Sequence, residues 1–98
     1  MAVNDKQKRY LKGLAHPLKP VVMIGNKGLT DNVLAEIGNA LEQHELIKVR
    51  VSGLEKADRT AMVEEIALKS SANLVTLIGH IAVLYRAAKE PTIKIPKK

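Results

Sequence analysis

Aromatic residues and cysteine are nearly or wholly missing from this chain. Of its 98 residues two are Tyr, none is Phe or Trp, and none is Cys. The core must therefore be built from aliphatic side chains. The lack of cysteine excludes disulfides, thiolate metal ligands and cysteine nucleophiles, and nothing in the composition indicates an oxidising compartment.

Long apolar runs are missing too. The longest, residues 74–85, is interrupted by Thr76, Gly79 and His80 and is too short to cross a bilayer. The N-terminus becomes charged at Asp5 without the apolar stretch of a secretory signal. We therefore expect a cytoplasmic protein.

Charge is unevenly distributed along the sequence, whose formal net charge is +6. Residues 1–30 hold six basic and one acidic side chain, and residues 66–98 hold the same numbers. The middle part, residues 31–65, holds four basic and eight acidic side chains. This pattern predicts one basic and one acidic surface in the folded protein, and a basic surface attracts polyanions.

Apolar periodicity and turn residues predict a single α/β domain. The expected order is α-β-α-β-α-β-β, with helices over residues 5–15, 31–44 and 59–70 and strands over residues 19–24, 46–51, 74–78 and 81–85. Two strand–helix–strand crossovers imply parallel neighbours and the closing hairpin an antiparallel pair, which gives a four-stranded mixed sheet with three helices. We expect the domain to cover residues 4–89, with a basic tail over residues 90–98.

Local signals refine these elements. Asn4, Thr30 and Asp58 are predicted to cap the three helices. In the first helix, Leu11, Leu14 and Ala15 are spaced as a buried stripe. The strand over residues 19–24 is almost continuously apolar, which predicts that it is buried on both faces.

The first candidate site is the loop Gly25-Asn26-Lys27-Gly28, between a strand and a helix. Glycines let backbone amides approach an anion closely, and a helix N-terminus adds a favourable dipole. Lys27 supplies a positive charge. Nucleotide-cofactor motifs do not fit, because the sequence has no G-x-G-x-x-G and Gly28 is not followed by Lys-[Ser/Thr].

A second candidate is the basic side of the first helix, where Lys8, Arg9 and Lys12 fall outside the apolar stripe. We expect Lys19 to cluster with Lys27 nearby, since this helix leads into the strand that bears the loop. With so few aromatic side chains for stacking bases, binding of a nucleic acid should depend mainly on its phosphates and shape.

Catalytic and metal sites are not indicated. The three histidines are isolated in the sequence, and Glu64 and Glu65 point apart on a helix. We therefore expect no enzyme activity, no metal and no cofactor.

Three segments together resemble the CRM domain in its stand-alone bacterial form, the YhbY family of RNA-binding proteins. They are LKGLAHPLKPVVMIGNKGLT at residues 11–30, HELIKVRV at residues 44–51 and IGHIAVLYR at residues 78–86.

The resemblance implies a fold like the C-terminal domain of the third bacterial translation initiation factor. It further implies RNA binding through the GxxG loop and nearby basic surface, in precursors of the large ribosomal subunit. Gly25, Asn26, Lys27 and Gly28 match the family's loop, whereas Lys8, Arg9 and Lys12 match its basic helix by type and position only.

Two other interpretations stay open on the sequence alone. One is a general nucleic-acid binder that acts on DNA, and the other is a protein-interaction module that docks on an acidic partner. We expect a monomer, although the sequence does not fix the oligomeric state.

Overall fold

A computed structural model of the chain describes residues 3–25 and 28–95. The predicted loop residues Asn26 and Lys27 and the last three residues of the tail lie outside this part. The helices and strands follow the predicted order: α1 Asp5–Ala15, β1 Pro20–Ile24, α2 Asp31–His44, β2 Leu46–Val51, α3 Lys56–Lys69, β3 Asn73–Ile78 and β4 Ile81–Tyr85. The α/β fold with three helices and a four-stranded mixed sheet is confirmed.

The strands lie in the order β1-β2-β4-β3. β1 is parallel to β2, and β4 is antiparallel to both of its neighbours. The prediction that both crossovers join parallel neighbours is therefore wrong for the second crossover. After the turn at Gly79, where φ is 58°, β4 pairs with both β3 and the free edge of β2. β3 is left at the outside of the sheet.

The helices form two layers around the sheet. α2 and α3 cover one face, over a buried aliphatic cluster that includes Ile37, Leu41 and Ile66. α1 covers part of the other face, where Leu11 packs with Val83 and other residues of a smaller cluster. α1 is the one described helix on this side of the sheet, where Ile93 and Ile95 of the C-terminal segment pack against the same cluster.

Two of the three predicted helix caps are present. The Asn4 side chain accepts a hydrogen bond from the Gln7 amide at 2.8 Å, and the Gln7 side chain accepts one from the Asn4 amide at 3.0 Å. Thr30 Oγ1 accepts a hydrogen bond from the Val33 amide at 3.1 Å. The prediction for Asp58 is wrong, because α3 already begins at Lys56. Asp58 lies in the first turn, where its negative charge interacts favourably with the helix dipole.

β1 is not buried on both faces, contrary to the sequence-based prediction. Val22 and Ile24 are buried, but Val21 is 50% and Met23 69% exposed. The reason is that β1 is an edge strand that α1 leaves partly uncovered.

The buried stripe of α1 also differs from the prediction: Gln7 joins Leu11 and Ala15, and Leu14 is exposed.

Candidate nucleic-acid interface

The predicted loop begins directly at the end of β1. Gly25 follows Ile24 and is exposed, and Gly28 precedes the cap of α2. The Gly28 amide donates a hydrogen bond to the Gly25 carbonyl at 3.0 Å, which joins the two described ends of the loop. The Gly28 amide is therefore already used within the loop.

The fold requires glycine at one of the two loop positions more strongly than at the other. Gly28 has φ +71°, a conformation that side chains disfavour, and a Cβ there would lie 3.7 Å from Met62 Cε. A Cβ on Gly25 would meet no atom within 4 Å in the described structure. The fold thus requires glycine at position 28 more than at position 25. At Gly25 no described residue blocks the approach of a ligand to the backbone.

Other turns lie at the same end of the sheet as the loop. The Ser52 amide donates to the Ile24 carbonyl at 3.0 Å, and the Val51 amide donates to the His80 carbonyl at 2.8 Å. The ends of β1 and β2 and the turn between β3 and β4 therefore meet at one edge, with the loop at its β1 side.

The predicted basic residues of the first helix do lie on α1. Lys8 is half-buried, and Arg9 and Lys12 are exposed. Lys8 and Lys12 are four residues apart and so project from the same side of the helix. Lys12 lines a shallow depression with Thr76 and Ile78, which places this side toward β3.

Lys19 is exposed but does not lie beside the loop. It precedes Pro20 at the start of β1, whereas Gly25 follows the last residue of that strand. Five strand residues span about 17 Å. Lys19 and Gly25 therefore lie at opposite ends of the strand, and Lys19 lines a depression with Leu14 of α1. Because Lys27 lies outside the described residues, its clustering with Lys19 stays a prediction.

The cations on the strands have distinct environments. The Lys48 ammonium donates to the carbonyls of His16 and Leu18 at 3.3 and 3.0 Å. The Arg86 guanidinium donates to the carbonyls of Ser70 and Gly38 at 2.8 and 3.1 Å. Arg50 is exposed, and its side chain makes no hydrogen bond or ion pair within the described part of the chain. Arg50 is thus available to a ligand.

The charge segregation predicted from the sequence is present between the two layers. α1 carries four basic residues and one acidic residue, Asp5. On the other layer, α2, α3 and the α3 N-cap hold seven of the ten acidic residues. None of the four strands contains Asp or Glu. The α1 side of the sheet is therefore the basic side.

Four residues form a row across this side, which we call the open row. The strand register pairs Met23 with Arg50, Arg50 with Ile81, and Ile81 with Ile78. Ile81 is half-buried and the other three are exposed, with Ile78 at 63%. The sequence alone does not reveal this row, because an apolar run does not show which residues a helix leaves uncovered.

Over residues 3–25 and 28–95, no group of three or more His, Asp or Glu side chains could hold a metal ion. None of the described helices is long and apolar enough to cross a membrane.

The fold and this basic face define a small α/β domain with a charged, partly uncovered sheet. The model of the CRS1 / YhbY (CRM) domain matches residues 3–86. The chain belongs to the CRS1 / YhbY (CRM) domain family, as its sequence motifs predicted.

Full-length relatives carry names that refer to RNA. A Haemophilus influenzae protein named "RNA-binding protein" is 51% identical over 98% of this chain and 97% of its own length. The Bacillus subtilis protein named "Probable RNA-binding protein YqeI" is 41% identical over 90% of this chain and 92% of its own length. The solution structure of SAV1595 from Staphylococcus aureus, at 38% identity, has a TM-score of 0.86 and covers 98% of this chain and 100% of that one.

Proposed function

We propose that this protein binds RNA and has no enzymatic activity. The observation that carries the proposal is the position of Gly25: an open backbone site at the edge of a sheet whose α1 side is basic. The names of the full-length relatives support the same function.

In the proposed mechanism, the loop holds a phosphate of the RNA backbone. The Gly28 amide is bonded to Gly25, so the donors we assign are the amides of Asn26 and Lys27, with Lys27 also supplying charge. Asp31 already places a carboxylate in the first turn of α2, where it would repel a second anion. We therefore assign the phosphate to the Gly25 side of the loop rather than to the helix start.

The cations of α1 extend the footprint in this proposal. Lys8, Arg9 and Lys12 lie on the basic side of the sheet, and Lys19 stands at the far end of β1 from the loop. Phosphate contacts of this kind hold a nucleic acid without reading its sequence. The RNA would accordingly be recognised by the spacing of its phosphates.

We further propose that the RNA is ribosomal RNA in precursors of the large subunit, in the cytoplasm. The resemblance of the three sequence segments to the stand-alone bacterial CRM proteins supports this assignment. Lys8, Arg9, Lys12 and Lys19 would then contact RNA backbone outside the loop.

Crosslinking in cells tests this proposal. The protein should crosslink to large-subunit ribosomal RNA, with the crosslinked peptide containing residues 25–28. Association that survives complete nuclease digestion would contradict RNA binding and indicate a protein partner.

In solution, duplex DNA should compete poorly against ribosomal RNA at physiological salt, and equal competition would indicate a general nucleic-acid binder.

A further inference from the structure

The open row, Met23, Arg50, Ile81 and Ile78, is a surface that the phosphate contacts leave unexplained. We infer that it binds unpaired RNA bases adjoining the phosphate held by the loop. The inference rests on the proposed RNA binding and adds the kind of RNA: a structured RNA with an unpaired segment.

The composition of the row is unusual for a solvent-facing part of a sheet. Met23 and Ile78 are more than half exposed and stand on opposite outer strands, with Arg50 and Ile81 between them. A single exposed apolar residue needs no explanation, but several uncovered apolar residues in one row across a sheet are typical of a binding surface.

The position of the row connects the two predicted groups of RNA contacts. At one end, Met23 lies two residues before Gly25. At the other end, Ile78 lines a depression with Lys12 and His16 at the end of α1. An RNA strand that contacts both the loop and Lys12 must therefore pass over the row.

The open row can bind bases although it contains no aromatic side chain. Bases stack on the guanidinium plane of arginine as well as on aromatic rings. Arg50 stands at the centre of the row, and its side chain has no hydrogen bond or ion pair with any described residue. The thioether of Met23 can make favourable contacts with aromatic rings such as bases. Four strands span on the order of 15 Å, and four-stranded sheets in other RNA-binding proteins hold two or three bases.

Charge favours RNA over a second copy of this chain. The four strands contain no acidic residue, and α1 has only Asp5, at its start. Two such basic faces would repel each other, whereas a polyanion is attracted. The charge around the row therefore favours a nucleic acid as its binding partner.

The test compares two RNA probes: a blunt hairpin and the same hairpin with an unpaired extension at one end. The wild-type full-length protein should bind the extended hairpin more tightly. Met23→Ser and Ile78→Ser should each weaken binding of the extended hairpin by about three- to tenfold, with less than about a twofold change for the blunt one. Because both side chains are exposed, the variants should keep the fold, which circular dichroism can verify.

Leu68→Ser is the matched control. Leu68 lies on α3, outside the row, is 81% exposed and lines a depression with Lys8, one of the proposed phosphate contacts. The change is chemically similar and should leave the preference for the extended hairpin at the wild-type value. Arg50→Lys retains the charge but loses the planar group. It should reduce the preference for the extended hairpin while the salt dependence stays the same.

Each outcome decides the inference. Equal wild-type affinity for the two hairpins, or row variants that lose affinity for both alike, would overturn base binding by the row while leaving the phosphate contacts standing. Failure of the wild type to bind either RNA would overturn the proposed function together with the row. Dimers in sedimentation experiments that Met23→Ser dissociates would reassign the row to self-association.

Discussion

The carboxylate of Glu45 accepts two hydrogen bonds from one residue of the C-terminal segment, Thr92. The Thr92 amide and hydroxyl donate to Glu45 Oε1 at 2.7 and 2.6 Å. The Ile93 amide donates to the same oxygen at 3.0 Å, and the Ala88 amide donates to Oε2 at 2.9 Å. Glu45 is 1% exposed and ties the segment after β4 to the junction between α2 and β2.

These bonds give the protein a specific response to acid. Burial alone would raise the pKa of Glu45, but the hydrogen bonds from Thr92, Ala88 and Ile93 outweigh it and lower the pKa to about 2 from 4.5. A lowered pKa in the folded state stabilises the fold fully above about pH 4.5, and the contribution is lost as the pH falls toward 2.

We predict that Glu45→Gln lowers the free energy of unfolding at neutral pH by about 1–3 kcal/mol. The difference between wild type and variant should shrink as the pH falls from about 4.5 to 2, because protonated Glu45 resembles Gln. Urea unfolding at a series of pH values measures both. A difference that stays constant over this range would contradict the role of the Glu45 charge.

Arg86 should stabilise the contact between the helical layer and the end of β4. Its guanidinium bonds carbonyls of Ser70 and Gly38 and lies 3.7 Å from a Glu42 carboxylate oxygen. Arg86→Ala should lower the free energy of unfolding by about 2 kcal/mol, since two carbonyls lose a charged donor. Lys89→Ala removes a nearby exposed cation and is the control. Equal stabilities of the two variants would contradict this assignment.

Alanine at the two loop glycines should separate folding from binding. Gly28→Ala should lower the free energy of unfolding by about 1 kcal/mol, because φ +71° strains a side chain. Gly25→Ala should leave stability unchanged, since its Cβ meets no described atom, but should weaken RNA binding by obstructing the backbone. Urea unfolding and RNA titration of both variants check this. Unchanged RNA affinity of Gly25→Ala would exclude close approach at that position.

Much of the fold follows from local sequence signals. Helix caps at Asn4 and Thr30 and the turn at Gly79 act through neighbouring residues, so a sequence pattern detects them. The insertion of β4 beside β2 depends on which sheet edge is free, which is a property of the assembled fold. The exposure of Met23 likewise depends on where α1 ends over the sheet.

The candidate site was predictable to a similar degree. The loop between β1 and α2 was placed correctly by its glycines, and the basic residues of α1 by their spacing. The distance between Lys19 and Gly25 depends on the extended strand between them, which nearness in sequence does not show. Glu45 was not predicted to matter. It ends α2 with φ 65°, a conformation in which helices usually place Gly or Asn. A glutamate at a helix–strand junction that lacks both residues is the sequence signal that could have identified it.

The salt dependence of RNA binding by Lys27→Ala tests the central claim most directly. Lys89→Ala removes the same charge at an exposed residue after β4, whose amide bonds Glu42 near the end of α2 that lies away from the loop, and is the matched control. If Lys27 neutralises a phosphate, the slope of log affinity against log salt should become shallower by about one in Lys27→Ala and stay at the wild-type value in Lys89→Ala. An unchanged slope and affinity in Lys27→Ala would remove this residue from the RNA contact and contradict the phosphate-binding role of the loop.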